Sequence, residues 1–151
     1  MSQSAAAVAA AAAEAARQAH NARMRAEAAQ WQEIADKRQE EYNKKQNELK
    51  RLKRAQKQLV KPLEYLKDFS GRVTEYSSKI SDSDFQGDVR DRINKILAQM
   101  SKKIKEDKNQ QEKNKETLDQ EIKKREEAQE VLKKSIQSAI DSRDLCLASM
   151  Y

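Results

Sequence analysis

The feature that most constrains this chain is an apolar residue that returns every seven positions. From Met24 the series runs through Trp31, passes polar Arg38 and Lys45, and continues as Leu52, Leu59, Leu66, Val73 and Ile80. Companion positions hold Ala28, Ala35, Tyr42, Leu49 and Leu63, with Phe69 and Tyr76 one residue off the frame. An α-helix brings residues seven apart back to nearly the same face, so this series predicts a long helix with one seam for packing knobs into holes. Composition alone leaves a disordered polymer open, because the mean hydropathy is -1.08 and 37% of residues are charged. Periodicity decides against it, and the dominant residues, Ala, Leu, Glu, Lys, Gln and Arg, are strong helix formers.

Two glycines and one proline leave few places to turn. Pro62 falls inside the repeat, where it removes a backbone donor and crowds the preceding turn, so a kink is expected near Val60 and Lys61. Residues 81–88, Ser-Asp-Ser-Asp-Phe-Gln-Gly-Asp, combine helix-capping side chains, a glycine and acidity suited to a helix start. The chain is expected to reverse there. A second repeat follows in Val89, Ile93, Leu97, Met100 and Ile104, then Leu118, Ile122, Leu132, Ile136 and Ala139 or Ile140.

The expected fold is therefore all-α, one long antiparallel coiled-coil-like hairpin spanning 1–151. Its parts are an Ala-rich helical arm (1–23), a first long helix kinked near Pro62 (24–80), the turn (81–88), a second long helix (89–140) and an apolar tail (141–151) that extends the helix or docks separately. A reversal near residue 83 makes paired positions add to about 166. That register sets Val73 against Ile93 and Leu66 against Met100. It also sets Leu49, Leu52 and Leu59 against residues 107–117, within a stretch, 105–117, that has no apolar side chain. Leucines without a mate along a long helix form a contact surface for another chain. Leu49, Leu52, Leu59 and Leu63 are the candidate partner-binding residues, with Arg51 and Arg54 beside them.

Charge is uneven. Residues 44–61 hold eight Lys or Arg against Glu48, net +7, and residues 102–115, expected to lie opposite, hold six lysines against three acids, net +3. The bland reading is a solvated helix surface; the sharper one is an acidic protein partner. Nucleic acid ranks last, because the belt has no aromatic residue for stacking bases.

Catalytic chemistry has no sequence support. His20 is the only histidine, lies in the Ala-rich arm and is expected to face solvent, and the single Cys146 has no plausible histidine neighbour. There is no zinc-ligand spacing, Gly-rich phosphate loop or calcium loop, so neither enzyme activity nor a cofactor or metal is expected. The acidic side chains Asp82, Asp84, Asp88 and Asp91 are explained by capping. One cysteine excludes an internal disulfide and fits a reducing compartment. No run of residues is apolar enough to span a membrane, and no basic residue precedes the Ala5–Ala13 run, as a cleaved signal peptide would require.

Phe85-Gln86-Gly87-Asp88 between two long amphipathic helices resembles the Trp-X-Gly helical hairpins of type VII (ESX) secretion, especially the larger, divergent members found beside LXG toxins in Gram-positive bacteria. Phe85 stands where that family has Trp, and Gly87 matches its turn glycine. The resemblance implies a non-enzymatic cytoplasmic protein, or one exported without a cleaved signal. It further implies pairing with the helical N-terminal domain of an LXG-type toxin to support the toxin's export. The family's export signal, an aromatic residue four positions before an acidic one near the C-terminus, is missing, which fits an adaptor or chaperone for the effector. The alternative reading is an intracellular coiled-coil scaffold that self-associates into a homodimer or bundle.

Overall fold

The computed structural model describes residues 2–81 and 87–151, with side chains for 4–80 and 87–151. They form two helices, α1 (Ser2–Ser81) and α2 (Asp88–Ala148), packed against each other as an antiparallel hairpin, with no strand among the described residues. Phe85 and most of the expected turn lie outside the described residues. Gly87 does not: its φ of +87° is left-handed backbone that a side chain disfavours, and its carbonyl accepts the first helical bond of α2 from Asp91 N–H at 3.2 Å. Asp88 and Asp91 in the first turn then meet the positive end of the α2 dipole.

Pro62 does not end α1, which runs unbroken through it. What the ring forfeits is the helical bond to the Gln58 carbonyl, one donor in an otherwise continuous ladder. α2 also exceeds its expected end at residue 140, carrying the apolar tail as helix through Ala148.

The hairpin divides into two compact units, Met1–Asn47 with Glu126–Tyr151, and Glu48–Arg125. In the first, the buried side chains are mostly small or polar: Ala28, Ala35, Ala139 and Gln129, with Ile136 the one large aliphatic among the described residues. Small residues let helix backbones approach, and polar side chains bridge them. Arg38, at a seam position where the repeat turns polar, donates to the Ser135 carbonyl at 3.0 Å. Gln129 Nε2 donates to the Tyr42 carbonyl at 3.1 Å and to Gln46 Oε1 at 3.0 Å, while its own Oε1 has no partner. Arg143 donates to Gln32 Oε1.

In the second unit the buried residues are branched aliphatics, Leu49, Val73, Ile104 and Ile122. The companion row on α1 continues in frame through Gln56, Leu63, Ser70 and Ser77, all half-buried. Phe69 and Tyr76 are therefore not seam residues; they are 44% and 62% exposed, and the serines next to them take the inward positions. On α2 the half-buried and buried series Leu97, Met100, Ile104, Lys108, Gln111 steps by three, four, four and three. The extra residue unwinds the supercoil locally and brings the Lys108 stem into the seam.

Candidate partner-binding surface

Register determines which leucines are left without mates. In the second unit Gln56 donates to Asp119 at 2.7 Å and Arg125 to Glu48 at 2.7 Å, so bonded partners add to 175 and 173. In the first unit Arg38 with Ser135 and Arg143 with Gln32 add to 173 and 175. The expected register, near 166, is therefore about one heptad too low. Part of the offset lies in the helix ends, since α1 runs to Ser81 and α2 begins only at Asp88, positions that already add to 169; the rest is a slide of one helix along the other fixed by the bonded pairs.

The correction moves the one-sided seam along α1. Leu49 lies level with residues near Arg125, is 4% exposed and belongs to the core, so it is not available to a partner. Leu52 lies level with buried Ile122 and is half-buried. The leucines level with the wholly polar stretch 105–117 are Leu59, Leu63 and Leu66, each half-buried. Leu66 joins the candidates; the signal for it was present in the repeat but was hidden by the register. At this level a groove of about 330 Å³ opens between the helices, lined by Val60, Leu63 and Glu64 of α1 and by Lys108, Glu112 and Lys115 of α2. Lys108 and Glu112 form a loose i,i+4 pair at 3.9 Å. The α1 wall sets Val60 and Leu63 beside Glu64 and Lys67, and the α2 wall offers the Lys108 and Lys115 stems and Glu112 but no apolar side chain to meet Leu63.

The two basic stretches are staggered rather than opposite, because α1 residues 48–61 lie level with 113–126 and not with 102–115. Within the second unit Lys50, Arg51, Lys53, Arg54, Lys57 and Lys61 are all exposed, running up to the groove. Arg125, on the facing helix, is bound at 3.0 Å to Glu121 and at 2.7 Å to Glu48. The hydrogen bond to Glu121, aided by the one to Glu48, holds its guanidinium above the ordinary arginine value against partial burial. It is committed to the hairpin. Arg51 and Arg54 are exposed.

His20 does not face solvent freely. It is half-buried, stacks on Tyr151 with ring centroids 4.8 Å apart, and places Nε2 2.9 Å from the Ser149 carbonyl. A carbonyl only accepts, so Nε2 carries the proton. Beside it, Asn21 donates to the Tyr151 carbonyl at 2.7 Å and accepts from Tyr151 N–H at 3.1 Å. This pair latches residues 149–151 to α1. Cys146 is half-buried with Sγ 4.0 Å from a Glu27 carboxylate oxygen.

Among the described residues no helix is long and apolar enough to cross a membrane, and no three His, Cys, Asp or Glu side chains gather as metal ligands would. No protein-family model matches the chain, and comparison with curated proteins and with solved structures finds no match for it.

Proposed function

We propose that this chain is a non-enzymatic partner protein that binds a helical segment of another protein, and that this partner is the helical N-terminal domain of a type VII secretion effector of the LXG kind, whose export it supports. The observation that carries the reading is the one-sided seam: Leu59, Leu63 and Leu66 are half-buried level with a helix stretch that has no apolar side chain to cover them. A helix entering the groove covers these leucines with its own apolar stripe. Acidic flanking residues on that helix meet Arg51, Arg54 and Lys61 on one side and Lys108 and Lys115 on the other. The type VII assignment rests on the hairpin resemblance, with Gly87 at the start of α2, and is the narrower part of the proposal.

The test is co-expression with the helical N-terminal domain of an LXG-type toxin. Leu59→Asp with Leu63→Asp is expected to abolish co-purification while far-UV circular dichroism stays helical, because neither residue is in the buried core. Arg51→Glu with Arg54→Glu is expected to weaken capture and reduce its salt dependence. Undiminished capture by the leucine variant overturns the binding surface; no capture by the unaltered chain overturns the toxin assignment.

A further inference from the structure

Along much of α1 opposite charges stand four residues apart and pair, as Glu33 does with Lys37, Glu41 with Lys45 and Glu75 with Lys79. Between Leu49 and Leu63 the helix does the reverse. Six Lys or Arg fall in this stretch and no Asp or Glu, net +6. Lys50 with Arg54, Lys53 with Lys57 and Lys57 with Lys61 are therefore like-charge i,i+4 pairs, which weaken a helix where opposite pairs strengthen it. The facing helix does not compensate. Residues 111–125 of α2, level with the stretch, hold five cations against four acids, net +1. Together the two stretches are net +7 in a chain of net +6, so this belt holds the whole positive excess of the molecule.

The cations are also ordered. Lys50, Arg54, Lys57 and Lys61 step by four, three and four, which sets them in one row, within about 60° of the helix circumference and about 17 Å long. All four are exposed, and the row lies on the side of α1 away from the seam positions Leu49, Leu52, Gln56 and Leu59. Lys50 and Lys57 take no part in lining the leucine groove. Between Lys50 and Lys61 the one other residue on this outer face is Gln58, so no apolar or aromatic side chain interrupts the row.

We propose that this row is a docking surface for an anionic lipid membrane, on which the hairpin lies along α1 without inserting. A protein partner at a specific interface needs a desolvated apolar or aromatic anchor, and this face has none. A single nucleic-acid strand is held in a basic groove with stacking platforms, whereas this row runs along the convex back of a helix and has no aromatic residue. A charged membrane surface asks for neither. It is flat, and it attracts each Lys or Arg that comes within a Debye length. A straight row on one helix face brings all its cations to such a plane at once. Lys50 and Lys57 have no role in the toxin reading, so the two proposals stand or fall separately.

Co-sedimentation of the full chain with vesicles tests it, in the absence of any toxin. The chain is expected to pellet with vesicles of phosphatidylcholine and phosphatidylserine and to stay in solution with phosphatidylcholine alone. High salt is expected to release it, because nothing apolar anchors it. Each Lys or Arg near an anionic surface contributes about fivefold in affinity. Lys50→Glu with Lys57→Glu is therefore expected to weaken binding by about a hundredfold or more, while far-UV circular dichroism stays helical. Lys50→Arg with Lys57→Arg, which keeps the charge, is expected to bind as the parent does. No binding to the phosphatidylserine vesicles, equal binding to the neutral ones, or binding that the Glu variant retains overturns the proposal. Tighter binding of duplex DNA than of vesicles in the same salt also overturns it, and assigns the row to nucleic acid.

Discussion

The two units of this hairpin use one heptad frame in opposite ways. The first buries three alanines, one isoleucine and an amide and ties its helices with polar side chains, among them Arg38, Gln129 and Arg143. The second buries Leu49, Val73, Ile104 and Ile122, yet leaves Leu59, Leu63 and Leu66 half-covered and Tyr65, Phe69, Tyr76, Val89 and Ile96 exposed. Alanine adds little hydrophobic area, so the first unit gains specificity of pairing from hydrogen bonds that exist in one register only. Larger apolar residues give the second unit more driving force, and more than its own two helices can use. A unit closed on itself and a unit open to other helices are thus built from the same repeat.

Truncation and enlargement should therefore act differently on the two. Leu49→Ala is expected to cost about 3 kcal/mol, since it empties a core position that is 4% exposed. Hydrogen exchange should report lost protection in Glu48–Arg125 first; an equal loss in both units would dissolve the distinction. Ala139 is 1% exposed, and Ala139→Leu is expected to cost about 2 kcal/mol by forcing closely packed backbones apart. A variant as stable as the parent in thermal unfolding would mean that the alanine seam is loose. The smallest effect has the opposite sign. Gln129→Leu removes a buried amide whose Oε1 has no partner, and is expected to stabilise the chain by about 1 kcal/mol. The same change should loosen register, seen as a broader set of disulfides between cysteines introduced across the helices. A narrow set would show that Arg38 and Arg143 suffice to hold it.

Much of this was legible in the repeat. Two long helices, a reversal between Ile80 and Val89, the row Leu52 to Ile80 and the polar stretch 105–117 all follow from spacing and turn chemistry. The register was not, because the α1 companion row turns polar at three of its positions beyond Leu49. Gln56, Ser70 and Ser77 look like surface residues in a sequence, while Phe69 and Tyr76 look like core, so the eye is drawn one position off. Periodicity specifies a face, but it does not say how far one helix slides along another. That slide is set by a few pairings such as Gln56 with Asp119, and no spacing rule links residues so distant in the chain. His20 escaped for a similar reason, since its stacking partner is Tyr151.

The latch formed by His20 and Asn21 has a mechanical consequence. Residues 149–151 are gripped at the open end of the hairpin, where α2 has already ended. Tension applied to that end of α2 while α1 is held reaches these few hydrogen bonds first, then Gln32 with Arg143, then Arg38 with Ser135, one after another. Bonds loaded in series fail at the strength of one, so such a hairpin resists thermal fraying at its open end but peels apart readily under a directed pull.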